Sequence, residues 1–230
     1  IVTGIMLVCF YFMSRKLKRE ALTQKQLTLK PLIDIAKNRL NWPILFSCPV
    51  NFSIYFTLQS VLGKKFLEDY GKLASSKAAF FTFIIMPFAM TTLFSSGLTS
   101  RMLGNRRKIF IMTATSLCMI NSIMMMSALI LNIKGDFILI FFILFAVTSG
   151  FLTIFVSTIQ ELNPKECTAL SAGTLNFMCY FSVAVIAHLA GFVMDLFKPE
   201  SAHGQITVYP PQAYICVFGI LSALDRKSVV

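Results

Sequence analysis

Charged residues are scarce in this sequence. Only 13% of its 230 residues are charged, and 10 acidic residues stand against 21 basic ones. A soluble domain usually carries about 25% charged residues, because polar side chains must cover its apolar core. Hydrophobic residues make up 56% of this chain, and its mean hydropathy is +0.73. This composition excludes an ordinary soluble domain.

The chain also lacks the motifs by which many enzymes and metal sites are recognised. It contains no GxxxxGK[ST] phosphate-binding loop, no HExxH zinc motif, no Ser/His/Asp constellation and no CxxC pair. Its six cysteines are scattered singly, and its twelve methionines show no repeated spacing with His or Cys. We therefore predict that the protein is not an enzyme and carries no metal or other cofactor.

Long apolar runs are abundant. Several exceed the roughly 18 to 20 residues that a helix needs to cross a bilayer, and the alternating segments of about ten residues that a membrane barrel requires are missing. The sequence therefore predicts an all-α fold, a polytopic transmembrane helical bundle. The predicted spans cover residues 42–66, 77–96, 109–132, 137–157 and 168–197, and a last span begins near Ala213.

Both ends of the sequence suggest an internal fragment of a longer protein. The first residue, Ile1, lies inside an apolar run, so we expect residues 1–13 to be the end of a cut transmembrane helix. The closing letters "DRKSVV" resemble the translation of a sequencing adapter. We therefore expect residues 225–230 to be a non-native tail.

Basic residues cluster beside the predicted spans. The stretch 14–41 carries eight cations, and the residues after Pro31 predict a short amphipathic helix on the membrane surface. Thirteen cations lie in links on this side of the bundle, against six in the links on the other side. The excess predicts that 14–41 and 97–108 are cytoplasmic. Because the cations flank membrane spans, we expect no nucleic-acid partner.

The link 97–108 reads "GLTSRMLGNRRK" and resembles a cytoplasmic loop of the major facilitator superfamily, G-x-L-x-D-R-x-G-R-R. It matches that loop at Gly97, Gly104 and Arg106. It departs at three positions, with Thr99 for Leu, Arg101 for Asp and Met102 for Arg. In the family a weaker copy of the loop lies between helices eight and nine, so the departures fit that second position.

Two further stretches are similar to the same family. Residues 66–79 resemble the external turn between helices seven and eight, and residues 161–191 resemble the link to helix eleven and that helix in bacterial members. The resemblance implies the second six-helix half of a major facilitator fold. On this basis 1–13 is the end of helix 6, 14–41 is the cytoplasmic central loop, and 42–224 holds helices 7 to 12, the last one truncated.

The resemblance also implies a function. Members are secondary active transporters that move a small solute by alternating access. The implied partners are a small-molecule substrate, a proton or a sodium ion as coupling ion, the lipid bilayer and an amino-terminal six-helix half. The bacterial type implies an integral protein of the inner membrane. The candidate gating loop consists of Gly97, Gly104, Arg106 and Arg107, although Arg101 in place of Asp argues against a full charge-relay role.

Polar residues inside the spans are the candidate substrate ligands, since burying them in a membrane is costly. Asn51, Tyr55 and Gln59 recur every four residues and share one helix face, and helix seven lines the central cavity in the family. Asn176 and Tyr180 are also four residues apart. Hydrogen bonding between packed helices is the alternative role for both sets.

Two other observations bear on coupling and on function class. His188 is a candidate proton carrier because its ordinary pKa lies near neutrality, although packing explains it as well, and no acid lies deep inside a complete predicted span. The alternative function is a non-transporting polytopic membrane protein, either an assembly subunit or a membrane-embedded enzyme. An embedded enzyme should cluster acids or histidines at one membrane face, and here they are scattered.

Overall fold

A computed structural model describes residues 30–102, 104, 106–133, 135–197, 200–201 and 207–229. The chain divides into two units, Ile1–Lys30 and Pro31–Val230, and the contacts below lie within the second. The predicted end of a helix at 1–13 and the predicted central loop as far as residue 29 lie outside the described residues.

Helices dominate the described part of the chain. In order they are α1 (Lys30–Lys37), α2 (Trp42–Phe56), α3 (Gly63–Asp69), α4 (Ser75–Met102), α5 (Arg107–Ile130), α6 (Ile138–Ser149), α7 (Leu152–Glu161), α8 (Thr168–Asp195) and α9 (Pro211–Val229). A π-helical segment, Thr57–Leu62, joins α2 to α3, and short 3₁₀ helices form at Arg39–Asn41 and Lys165–Cys167. Strands β1 (Glu200–Ser201) and β2 (Thr207–Val208) pair antiparallel, with Glu200 opposite Val208.

Five helical stretches have the length and composition of membrane spans. They are Arg39–Asp69, Ser75–Met102, Arg107–Ile130, Ile138–Glu161 and Lys165–Asp195, and a shorter apolar helix follows at Pro211–Leu224. The prediction of an all-α chain is therefore confirmed, with several helices long and apolar enough to span a membrane. Their order and approximate positions agree with the spans expected from hydropathy.

The larger apolar core is built around Phe66 in α3. Its ring stacks on Tyr70 at 5.4 Å and on Phe142 of α6 at 6.0 Å, measured between ring centroids. The rings of Tyr214 and Phe218 in α9 meet it edge-on at 5.1 and 5.6 Å. Each such aromatic pair adds about 0.5–1.5 kcal/mol beyond the burial of its surface. These contacts join three sequence-distant helices into one bundle.

A smaller core lies around the amino-terminal half of α2, away from the core around Phe66. It includes Ile44, Ala114 of α5, Phe155 of α7 and the thiols of Cys48 and Cys179. The two sulfur atoms lie 3.7 Å apart and both residues are free cysteines. The pair marks where α2 packs directly against α8.

Buried amides tie helix α1 to the link after α7. Asn41 donates through its side-chain nitrogen to the Ile35 carbonyl at 2.9 Å and to Oδ1 of Asn163 at 3.0 Å. Asn38 donates to the Leu162 carbonyl at 3.2 Å. The predicted amphipathic helix is present, and its Ile35 side chain is buried. These bonds place the end of the 14–41 stretch beside the 158–167 link, as the alternation of spans requires.

Ion pairs confirm the rest of that grouping. Arg107 Nη2 lies 2.5 Å from Glu161 Oε1, which puts the link between α4 and α5 at the same end as the link after α7. At the other end Lys77 Nζ lies 2.7 Å from Asp136 Oδ1, which joins the link before α4 to the link before α6. The links therefore segregate as the sequence predicted.

One predicted boundary was wrong, and one predicted span contains an irregularity. Helix α4 continues to Met102, six residues beyond its predicted end, so Gly97 lies within a helix rather than in a link. Its polar residues stay helical because a backbone at the membrane edge still needs its internal hydrogen bonds. The predicted span 137–157 is present as the apolar stretch Ile138–Glu161, although an irregularity at Gly150 and Phe151 divides it into α6 and α7.

Candidate functional site at a broken span

The break between α6 and α7 is where helix α4 approaches most closely. A Cβ atom on Gly150 would lie 2.5 Å from Cβ of Thr92 and 2.9 Å from the carbonyl oxygen of Ala89. Only glycine fits such an approach. The hydroxyl of Ser96 donates to the Gly150 carbonyl at 3.3 Å and lies 3.0 Å from the hydroxyl of Thr153. Polar groups of the neighbouring helix thus partly satisfy the interrupted backbone.

Asn51 lies beside this break with its carboxamide unpaired. Its side chain is only 3% exposed. Neither Oδ1 nor Nδ2 has a hydrogen-bond partner among the described residues. A buried polar group without a partner costs about 1–3 kcal/mol, so such a group in a native structure calls for an explanation.

The space next to Asn51 is small and is lined by both polar and apolar side chains. Thr148 and Ser149, the last residues of α6, line it together with Cys48 and Phe155. It is too small to hold a water molecule. The two hydroxyls donate to the carbonyls of Phe145 and Ala146, both at 2.8 Å. Their oxygens therefore keep the capacity to accept a hydrogen bond.

The π-helical segment adds a second irregularity, one turn beyond Tyr55. A Cβ atom on Gly63 would lie 1.8 Å from the Leu58 carbonyl oxygen, so glycine permits the wide turn. Within the segment Gln59 is half-buried, and the hydroxyl of Thr57 is shielded and without a partner among the described residues. π-helical turns inside α-helices are frequent at functional sites.

The structure does not bring the five predicted substrate ligands together. Asn51 and Tyr55 are buried within the bundle, whereas Asn176 and Tyr180 are exposed on α8. The Tyr180 ring instead meets Phe52 edge-on at 5.5 Å, on the adjacent side of α2. A spacing of four residues predicts a shared face, but it does not tell which way that face points.

Sequence reasoning missed Thr148, Ser149 and Gly150. The signal was present, because these small and polar residues interrupt the most apolar of the spans, whose mean hydropathy is 2.6. A Thr-Ser-Gly run in such a stretch favours a helix break. The hydropathy average concealed it.

A buried carboxylate at the other end of the bundle was also missed. Asp69 is 5% exposed, and its carboxylate lies 2.8 Å from Lys65 Nζ. It accepts a hydrogen bond from the Tyr214 hydroxyl at 2.9 Å and another from the Tyr209 backbone N–H at 3.1 Å. With these partners, Asp69 anchors α9 and the loop before it.

Tyr209 extends this network to the end of α8. Its hydroxyl donates to Asp195 Oδ1 at 3.3 Å. Burial, and then the negative charge of Asp195, raise the pKa of Tyr209 above its ordinary value. The phenol therefore stays protonated at neutral pH and continues to donate this hydrogen bond.

The candidate gating loop is divided between helix and turn. Gly104 has φ of +68°, in the left-handed region that glycine favours. Arg106 is exposed, and Arg107 forms the ion pair with Glu161. In the described ranges, no group of three or more His, Cys, Asp or Glu side chains could hold a metal ion. His188 is exposed on α8.

No protein-family model matches the chain, and no curated protein matches it. The resemblance to the major facilitator superfamily therefore stays a prediction carried by the motifs of the sequence.

Proposed function

We propose that the protein is part of a secondary active transporter that moves a small solute across a membrane by alternating access. The observation that carries the proposal is the unpaired Asn51 carboxamide beside the broken span α6–α7. Transporters commonly bind their substrates near the membrane midplane, where interrupted helices expose backbone and polar side chains. A continuous helix has no free backbone groups to offer, because its N–H and C=O groups bond to one another.

The chemistry around the break suits an uncharged, hydrogen-bonding group. Asn51 supplies both a donor and an acceptor, and the hydroxyls of Thr148 and Ser149 supply further acceptors. No carboxylate, ammonium or imidazole lines this space in the part of the chain described. In the closed form the space excludes water, and a rocking motion that separates α2 from the break would open it to a solute.

The family resemblance supplies the wider setting of the proposal. On this basis we propose that the chain belongs to the carboxy-terminal half of a major facilitator fold in a bacterial inner membrane, with an amino-terminal half as partner. The excess of cations in the links on one side of the bundle supports a cytoplasmic position for those links. A proton or a sodium ion is the proposed coupling ion.

Uptake into proteoliposomes tests the proposal. The protein encoded by the intact gene is reconstituted and supplied with labelled amino acids, nucleosides, sugars and cationic drugs in turn. We expect uptake of one class. Asn51→Leu should reduce that uptake at least about tenfold, the factor that about 1.4 kcal/mol of lost binding gives, while His188→Ala should leave it near the unmodified rate.

Two results would contradict the proposal. Absence of uptake for every class would argue against transport itself. Normal uptake by the Asn51→Leu protein would leave transport standing but remove the site at the break, since Leu keeps the branching of Asn and lacks its hydrogen-bonding groups.

A further inference from the structure

A larger cavity lies at the end of the bundle that holds the link between α4 and α5. Its volume is about 410 Å³, within the size range of ligand pockets. We call it the basic cavity. Its lining includes Phe94, Leu98, Ser100 and Arg101 from α4, Arg107 from α5 and Ser157 from α7. It is separate from the space beside Asn51.

The charge of the basic cavity is positive. Two guanidinium groups line it, those of Arg101 and Arg107, and no carboxylate is among its described lining residues. Glu161 pairs with Arg107 through Nη2. The other terminal nitrogen, Nη1, is shielded from solvent and has no hydrogen-bond partner in the described part of the chain. A ligand reaches Nη1 only if the Arg107 side chain shifts, whereas the Arg101 side chain is exposed.

Guanidinium donors suit one chemical class of ligand. Their planar fork matches the oxygens of a phosphate or carboxylate, and charge-assisted hydrogen bonds of this kind are about twice as strong as neutral ones. Ser100 also lines the cavity, whereas the Ser157 hydroxyl donates to the Thr153 carbonyl at 2.8 Å and is left as an acceptor. The donors for an anion are therefore mainly those of the two arginines.

The opposite part of the lining is apolar and open. Phe94 is 74% exposed and Leu98 is 63% exposed, and both lie on the membrane-spanning helix α4. Ile154 adds a buried apolar side chain. A ligand that fills the cavity therefore meets cations at one end and hydrocarbon at the other, which is the polarity of a phospholipid.

We propose that the basic cavity binds an anionic phospholipid, with its phosphate at Arg101 and Arg107 and the start of an acyl chain against Phe94 and Leu98. Charge complementarity supports a lipid of the cytoplasmic leaflet, since that leaflet is negative and the cation count predicts that this end of the bundle is cytoplasmic. Lipid binding at this position does not depend on the transport function, because the residues proposed to contact the lipid do not include Asn51, Thr148, Ser149 or Gly150.

The experiment measures lipid binding to the purified chain in detergent by native mass spectrometry. Dioleoylphosphatidylglycerol and dioleoylphosphatidylcholine are the two probes. We expect the phosphatidylglycerol to bind in one-to-one stoichiometry and more tightly than the phosphatidylcholine. Arg101→Gln should weaken phosphatidylglycerol binding about tenfold, as the loss of one charge-assisted hydrogen bond predicts.

Arg106→Gln is the matched control. It removes the same charge at the same end of the bundle, but Arg106 is exposed and does not line the cavity. Its affinity should stay near that of the unmodified protein. Equal weakening by both substitutions would show general surface attraction and overturn the site. Circular dichroism of each variant verifies that the helices are intact.

Two further arms distinguish the sources of the phosphate. Arg107→Lys keeps a cation beside Glu161 but loses the planar guanidinium, so we expect weaker binding than in the unmodified protein, and undiminished binding would remove the Arg107 guanidinium from the site. Glycerol phosphate and inorganic phosphate should fail to displace the lipid at equal concentration. Full displacement by either would assign the cavity to a soluble anion and overturn the lipid proposal.

Discussion

Two buried polar groups lie on the first span, Asn51 near its middle and Asp69 at its end, and their surroundings differ completely. Asp69 carries a charge, yet a lysine, a tyrosine hydroxyl and a backbone N–H satisfy it. Asn51 is uncharged, yet its carboxamide has no partner among the described residues. The charged Asp69 carboxylate, which costs more to bury, is thus the group with more partners.

The difference indicates two roles for buried polarity in one bundle. The partners of Asp69 come from α3, the loop before α9 and α9 itself, so its bonds fasten elements that are distant in sequence. The Asn51 carboxamide forms no hydrogen bond with the described residues. Its desolvation therefore destabilises the folded state. A group kept at such a cost fits a binding function better than a structural one.

Replacement of Asp69, which anchors α9, should have the largest effect on stability. Asp69→Leu leaves Lys65 and Tyr214 without the carboxylate they contact, and breaking a buried charge pair from one side destabilises by about 3 kcal/mol. Thermal unfolding in detergent, followed by circular dichroism, measures the change. Glu68→Leu is the control, because Glu68 pairs with Lys64 at 3.7 Å near the surface, and such pairs contribute about 0–1 kcal/mol. Equal effects would refute the anchoring role.

The sequence predicted the helical spans well because apolar length is a direct physical requirement of a bilayer. The grouping of the links was also predictable, since every span reverses the side of the membrane. The Arg107–Glu161 and Lys77–Asp136 pairs agree with that alternation. These features depend on composition along the chain rather than on which residues meet.

The site was less predictable because it depends on which residues contact each other in the folded chain. Periodicity placed Asn51, Tyr55 and Gln59 on one face, but only the packing of α2 against other helices shows that the face turns inward. The break at Gly150 depends on the approach of α4, whose residues lie more than 50 positions earlier. No local pattern encodes that approach.

A larger side chain at Gly150 should have an intermediate effect on the stability of the protein. Gly150→Ala introduces a Cβ atom 2.5 Å from Thr92 Cβ, and overpacking of this kind destabilises by about 2 kcal/mol. Unfolding in detergent is again the measurement, with uptake as a second readout where a substrate is known.

Gly97→Ala provides the matched control for that change. Gly97 lies within the same helix that meets the break, but a Cβ atom there would contact nothing within 4 Å. Alanine should therefore stabilise helix α4 by about 0.5–1 kcal/mol, through its higher helix propensity. If both glycine substitutions changed stability in the same direction, the close approach at Gly150 would not be the cause.

The smallest expected change has the opposite sign. Asn51→Leu removes a buried amide without partners, so we expect it to stabilise the protein by about 1 kcal/mol. The same substitution at Asn41 should destabilise it by about that amount, because Asn41 donates to Ile35 and exchanges hydrogen bonds with Asn163. Unfolding temperatures of the two variants, measured side by side, check the pair. A loss of stability in the Asn51 variant would mean that its carboxamide is paired in the folded protein, and the contrast with Asp69 would disappear. A gain of stability joined to a loss of uptake is the result that a binding role for Asn51 requires.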